Sequence, residues 1–335
     1  MLNPFDHPAF GMISLSQAIN IIPNRYNRLG DLGLFPDKPQ RFRQIAVEEE
    51  HGVLNLLPLL PPGSPGSVGI RGKRKMRSFS IPHIPHDDVI LPEEVQGIRA
   101  FGSETETETI AGVMATHLET MRSKHAITLE YLRFGALRGE ILSSDGSVLY
   151  NLFDEFGIPR PAPVIFKFSD PKSNIKKSCL DILRTIEDNL HGENISGVYC
   201  FVGADFFDAL TSHPTVKEAY FRWQDSLALR TDMRSGFPFG GITFEEHRGR
   251  AWTADGSVNM FVQPAEGHVF PLGTLTTFAT YYAPADFNET ANTVALPLYA
   301  KQAPRPFDRG TDLHTQSNPL PLCHRPGLLV KVTMA

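Results

Sequence analysis

Cysteine is scarce in this 335-residue chain: Cys179, Cys200 and Cys323 are odd in number and far apart. Such a set gives neither a disulfide framework nor zinc-ligand spacing, and the three read as reduced core thiols in a cytoplasmic setting. No apolar run approaches the ~18 residues of a membrane span, and Met1 to Phe10, with proline, aspartate and histidine, does not read as a secretory signal. Excess charge of one sign is lacking too. A net charge of −5 is small for this length, so there is no global bias toward nucleic acid or membrane. Catalytic signatures are missing: the chain has no Gly-x-Ser-x-Gly, no His-Glu-x-x-His and no Walker loop. Asp205 and Asp208 read as a helix N-cap and an exposed carboxylate, and Pro284-Ala-Asp-Phe-Asn288 as an Asx-type turn. The Gly240-Gly241 pair lacks the strand-loop-helix setting of a nucleotide fingerprint. No catalytic residue, cofactor or metal ligand is therefore assigned, and the chain reads as a non-enzyme. A hydrolase-like α/β enzyme with an unrecognised site is the competing class.

What is present is organised around one stretch, Gly102 to Asn151. Ser103 followed by Glu106 is a capping-box start, and Glu104, Glu106 and Glu108 sit where the positive end of a helix dipole favours them. Apolar residues then recur at Ile110, Val113, Met114, Leu118, Met121, Leu129, Leu132, Ala136 and Leu137 with helical spacing, and no proline interrupts them. The spacing predicts a rod from Ser103 to Leu137 of about 50 Å at 1.5 Å per residue. Gly139 ends it, and Glu140 to Tyr150 reads as a hairpin around an Asp-Gly turn.

Before this rod, residues 1–38 read as an extended arm with one short helix, Ser14 to Ile21, closed by Pro23. Prolines and glycines recur too densely for a packed element, yet Ile13, Leu15, Ile19, Ile21, Ile22, Leu32, Leu34 and Phe35 are apolar. A segment that cannot build its own core but carries such residues must lie on another surface, a neighbouring subunit being one such surface. Residues 39–97 read as an extended two-armed hairpin with a Pro61-to-Ser67 tip. Its first arm carries Glu48, Glu49 and Glu50, and its returning arm Arg71, Lys73, Arg74, Lys75 and Arg77. Three readings of the basic run stand: charge pairs within the hairpin or a solvated face, contact with a neighbouring subunit, and nucleic acid. His83, His86, Asp87 and Asp88 fit a proline-held surface segment better than a metal site.

Beyond the rod, the spacing predicts a strand at Val164 to Phe168, a helix at Ser178 to Leu190 and a buried strand at Val198 to Val202. Helices are predicted at Ala204 to Leu210, capped near its start by Asp205, and at Thr215 to Leu227 behind Pro214. Phe239 to His247 and Ser257 to Val262 read as strands, and the last strand, Gly327 to Val332, should pair back into a sheet. The fold class is α+β.

Several stretches together resemble the lambda-type major capsid protein E family of tailed bacteriophages: Ile98-Arg-Ala-Phe-Gly-Ser103, Thr128-Leu-Glu-Tyr-Leu-Arg-Phe-Gly-Ala-Leu-Arg-Gly139, Gly197-Val-Tyr-Cys-Phe-Val-Gly203 and His213-Pro-Thr-Val-Lys217. The pattern continues in Gly240-Gly-Ile-Thr-Phe-Glu-Glu246, Tyr282-Ala-Pro-Ala-Asp286 and Gln316-Ser-Asn-Pro-Leu-Pro-Leu322. The resemblance implies the Hong Kong phage fold. It assigns 1–38 to the N-terminal arm, 39–97 to the extended loop, 98–168 to a peripheral domain with a spine helix, 169–300 to an axial domain and 301–335 to C-terminal return strands of the peripheral domain. It further implies a virion shell of pentamers and hexamers around double-stranded DNA, built with scaffolding protein and portal, and no membrane. Some relatives cement the shell by covalent cross-links and others by a decoration protein, and no cross-linking lysine is carried over to this chain. In that fold the loop lies across an adjacent subunit. Arg71, Lys73, Arg74, Lys75 and Arg77 are thus expected to meet acidic groups of a neighbour, with Glu48 to Glu50 and Glu104, Glu106 and Glu108 as counterparts.

Overall fold

The computed structural model describes residues 11–22, 27–50, 74–94, 110–190, 192–223, 232–253 and 256–335. Helix α1 (Met12–Ile21) and the single turn α2 (Arg28–Asp31) come first, then strand β1 (Asp37–Pro39). Strands β2 (Gln44–Glu50) and β3 (Arg74–Ser80) pair antiparallel as a ribbon. The returning arm does not stay in that ribbon, as the sequence reading had it. After Ser80, Pro82 and Pro85 carry it into β4 (Ile84–Ile90), which pairs with a strand more than two hundred residues away. A 3-10 turn, Pro92–Glu94, follows.

Helix α3 (Ile110–Arg138) is the predicted rod: 29 residues, about 43 Å at 1.5 Å per residue. Its expected start near Ser103 lies outside the described residues. Gly139 ends it, and β5 (Glu140–Leu142) and β6 (Val148–Asn151) form the predicted hairpin, followed by α4 (Leu152–Phe156). Glycine inside a helix costs roughly 1 kcal/mol against alanine. At Gly135 the reason is contact: a Cβ there would stand 3.0 Å from the Glu140 carbonyl and 3.1 Å from Ile141 Cα, so a side chain would force β5 back by a few tenths of an ångström.

The remaining elements are β7 (Val164–Phe166), α5 (Ile175–Asn189), β8 (Gly197–Val202), α6 (Ala204–Ser212), α7 (Pro214–Trp223), β9 (Phe237–Phe239), β10 (Ile242–Glu246), β11 (Arg250–Trp252), β12 (Val258–Met260), β13 (Glu266–Leu272), β14 (Phe278–Tyr282), β15 (Tyr299–Pro304), β16 (Thr311–Ser317), β17 (Pro319–Cys323) and β18 (Val330–Met334). A mixed six-stranded sheet runs β7-β18-β13-β8-β10-β9, so the last strand does pair back, between β7 and β13. Two three-stranded sheets, β1-β14-β17 and β15-β16-β4, complete the framework. The Asn174 side chain accepts the Lys177 N–H and so starts α5, which buries Ile175, Cys179, Ile182 and Ile186 along one face.

Two further readings are corrected here. Phe239 to His247 is a hairpin rather than one strand: Gly240 and Gly241, at φ +61° and +87°, make the turn between β9 and β10. Asp205 lies in the first turn of α6, not at its N-cap, which is Gly203 without a side-chain cap. The covering surface expected for the arm is present and is in part its own chain, while Ile13 and Ile21 stay exposed. Leu15 and Ile19 of α1 are buried against Val113, Met114, Leu118 and Met121 of α3 with Leu298, Ala300 and Leu313, while Leu29, Leu34 and Phe35 join a second core. That second core holds Tyr131, Leu132, Phe134 and Leu137, so the rod joins the two. A third core lies between α5, α6 and the six-stranded sheet.

Candidate assembly surfaces

The root of the β2–β3 ribbon is clamped to the β5–β6 hairpin and α4. Ile45 and Phe79 are buried on one face, and the Phe79 ring meets Tyr150 edge-on at 5.3 Å. Tyr150 Oη accepts the Ser80 N–H at 2.8 Å and donates to the Ser80 carbonyl at 2.9 Å. Arg77 Nη2 donates to the Phe156 carbonyl at 2.9 Å, and its guanidinium lies 5.0 Å over the Phe156 ring. Of the basic run, Arg77 therefore serves as an anchor within its own chain. Arg74 and Lys75 are placed by register: Arg74 stands opposite Glu50 and Lys75 opposite Glu49 on successive rungs. Opposite charges across a ribbon contribute roughly 0.2–1 kcal/mol per pair. Arg71, Lys73, Glu104, Glu106 and Glu108 lie outside the described residues.

Polar ties that the sequence reading did not single out hold the arm to the body. Arg28 reaches Glu245 of β10 with Nε at 2.7 Å and Nη2 at 2.5 Å, and Tyr199 completes the cluster by bonding the same carboxylate. Arg122 Nη1 donates to the Ile19 carbonyl at the end of α1, where a cation suits the helix dipole. Asn20 Nδ2 donates to the Leu298 carbonyl at 2.8 Å, and Ser16 Oγ accepts the Ala300 N–H at 3.0 Å. Glu130 of α3 adds a further tie by accepting the Leu29 N–H, and it and Arg133, charged residues inside the apolar stretch from Leu129 to Leu137, were the signal visible in sequence.

The His83-to-Asp88 segment does not converge on one point. His83 Nδ1 meets Asn318 and Gln316, His86 Nε2 meets Lys124, Asp87 pairs with His314, and Asp88 with His117. Among the described residues no group of three histidine, cysteine or acidic side chains is disposed to hold a metal ion. Cys179, Cys200 and Cys323 are buried free thiols whose pKa burial pushes up, to about 12 at Cys179 and Cys323. No described helix is long and apolar enough to cross a membrane.

Large apolar side chains stand in solvent on projecting segments. Phe42 and Met76 of the ribbon region are each 69% exposed, and Phe307, at the tip between β15 and β16, is 89% exposed. Trp252, Val258 and Met260 share one face of the β11–β12 hairpin, where Trp252 is directly opposite Val258. Exposed apolar and aromatic groups in this number on ribbons and turns suit contact with other proteins rather than a small-molecule site.

A family model described as Phage major capsid protein E matches residues 11–334. The chain belongs to that family. A major capsid protein of Pseudomonas phage KPP10 is 30% identical over 339 residues, covering 96% of each chain. A major capsid protein of Salmonella phage Felix O1 is 29% identical over 363 residues, covering 99% of this chain and 98% of the relative. Among solved structures, the mature capsid of bacteriophage PhiM1 shares the fold at a TM-score of 0.52 and 14% identity, covering 88% of this chain and 82% of that one. The fold is thus the Hong Kong phage capsid fold, α+β, and this major capsid protein forms the icosahedral shell of a tailed-phage virion. A hydrolase built on the six-stranded sheet finds no support, and the family is a structural one.

Proposed function

We propose that this major capsid protein closes into pentameric and hexameric rings that tile the shell, with packaged double-stranded DNA on the inner face. The observation that carries the reading is the β2–β3 ribbon. Its root is locked to the body through Tyr150 and Phe156, while Phe42 and Met76 stand in solvent and the strands lead toward residues 51–73. A rigidly rooted projection of this kind suits laying across an adjacent copy, and repeated weak contacts sum around a ring.

In this reading 1–38 is the arm, 39–97 the extended loop, 98–168 the peripheral domain with its spine helix, 169–300 the axial domain and 301–335 the returning strands. β4 within the loop range pairs with β16, and β18 within the last range joins the sheet of β8, so both ranges share strands with their neighbours. Arg71, Lys73, Arg74 and Lys75 face acidic groups of an adjacent copy, Glu104, Glu106 and Glu108 among them, with Arg77 fixing the strand that carries the run. Scaffolding protein, portal and a decoration protein are the proposed further partners. Electron micrographs of the purified protein test the reading: rings and closed shells are expected. A monodisperse compact monomer at high concentration, with the ribbon and its exposed Phe42 and Met76 protected from protease, overturns it.

A further inference from the structure

His117 of the spine helix stands between two carboxylates. Its Nδ1 lies 2.7 Å from Asp88 Oδ2 of β4, and its Nε2 lies 3.0 Å from Glu94 Oε2 of the following 3-10 turn. Carboxylate oxygens only accept, and a neutral imidazole carries one N–H, so the ring that satisfies both partners is the doubly protonated imidazolium. Both carboxylates are held in place from behind. Asp88 Oδ1 accepts the Val89 N–H at 2.9 Å, and Glu94 Oε1 accepts the Leu91 N–H at 3.0 Å. The next residue, Leu118, is buried in the core shared by α1, α3 and Ile90 of β4.

We propose that His117 is a protonation-controlled clamp, fastening the spine helix to the edge strand β4 while its ring carries both protons and releasing it once one is lost. Among the described residues, the groups that face this seam are few. β4 brings His86, Asp87 and Asp88, and the turn brings Glu93 and Glu94. β16 brings His314, paired with Asp87, and Asp312, paired with Arg305. Lys124 of the spine helix meets His86, and α1 carries no ionisable side chain. Burial pulls the His117 pKa down, but the hydrogen bonds and charges of Asp88 and Glu94 prevail and hold it above the ordinary 6.5. With the folded value raised, the stabilisation is complete below 6.5 and is lost as pH rises through the folded value. Above that point one ring nitrogen presents a lone pair to a carboxylate, and the clamp opens. The inference concerns a single subunit and does not depend on the assembly reading.

Hydrogen exchange of the full-length protein between pH 6 and 10, corrected for intrinsic rates, tests it on peptides spanning 84–94 and 110–121. In the unaltered protein, protection of both should fall as pH rises, by about tenfold for each unit separating the folded and unfolded pKa. His117→Gln should show the lower protection at every pH, and His117→Lys, which keeps its charge past pH 9, should hold protection there. Identical pH dependence in the unaltered protein and His117→Gln overturns the clamp. Should either variant fail to fold, the His117 ring titration followed by NMR in the unaltered protein decides: a midpoint above 6.5 is expected, and one at or below 6.5 overturns it.

Discussion

Oε1 of Glu130, in the C-terminal half of the spine helix, accepts the backbone N–H of Leu29 at 2.8 Å and so ties the arm to the rod through a carboxyl only 3% exposed. Burial raises its pKa to about 7, against the opposing pull of the Leu29 hydrogen bond and the Arg133 charge. An unfolded glutamate ionises near 4.5, so between 4.5 and about 7 the folded state binds more protons and stability falls as pH rises. The full difference is about 3 kcal/mol. Glu130→Gln keeps an oxygen for Leu29 and cannot ionise. Its Tm is expected to match the unaltered protein near pH 4.5 and exceed it at pH 8, and a lower Tm at pH 8 would show that the ionised carboxylate is the stabilising form.

The opposite slope is expected from His247. Its ring packs among Phe134, Phe201 and Phe261 at centroid distances of 4.4, 5.1 and 6.0 Å, and Nε2 has no hydrogen-bond partner. Burial lowers its pKa to about 4 from 6.5, so the stability it permits is present above 6.5 and is lost as pH falls toward 4. The loss reaches up to about 3 kcal/mol. Replacement by phenylalanine should flatten the decline in unfolding free energy over that range in urea titrations. An unchanged slope would place the acid sensitivity elsewhere, with buried His125 and His268 next in line.

How much of this was legible in the chain depends on the range of the interaction. The rod, the Asp-Gly hairpin after Gly139 and the α5 face announce themselves because helical spacing, turn residues and caps are local signals. The partner of β4 is not local: Ile84 to Ile90 alternates like the rest of the hairpin arm, and only the folded chain shows that Thr311 to Ser317 takes it. The arm shows the same limit. Its apolar residues required a covering surface, but whether that surface was Met114 and Leu118 or another copy is a tertiary fact. Gly240 and Gly241 read equally as strand glycines or a turn until β9 and β10 are seen to pair. For the assembly surface, the ribbon and its charges were visible, while the anchoring of Arg77 on Phe156 and the ties from Arg28 and Glu130 depend on contacts far apart in sequence.

A break in the rod should be felt in two cores at once. Leu118 is 3% exposed, in the half of α3 that packs on α1, and Tyr131 to Leu137 fill the other core. Proline at 118 removes a backbone donor and clashes with the preceding turn, costing ~3 kcal/mol or more. Leu118→Ala keeps the helix and loses packing alone, about 2–5 kcal/mol. The expectation is soluble, destabilised Leu118→Ala with faster proteolysis of the arm, and insoluble or assembly-dead Leu118→Pro. Normal particles from the proline variant would refute a continuous rod.

Charge reversal separates the three readings of the basic run. The β2–β3 register sets Arg74 opposite Glu50 and Lys75 opposite Glu49, while the assembly reading directs the same cations to Glu106 and Glu108 of an adjacent copy. A single exposed pair contributes only ~0.2 to 1 kcal/mol, too little to decide assembly alone, but a contact repeated around every ring multiplies. Arg74→Glu with Lys75→Glu is therefore expected to cut the yield of shells in micrographs and sedimentation while leaving subunit folding intact. Adding Glu106→Lys and Glu108→Lys should restore part of that yield; adding Glu49→Lys and Glu50→Lys should restore ribbon protection in hydrogen exchange but not shells. If the Glu49 and Glu50 reversals alone bring shells back, the run is satisfied within its own ribbon. If the first variant assembles normally and fails only to retain DNA, the cations face the genome.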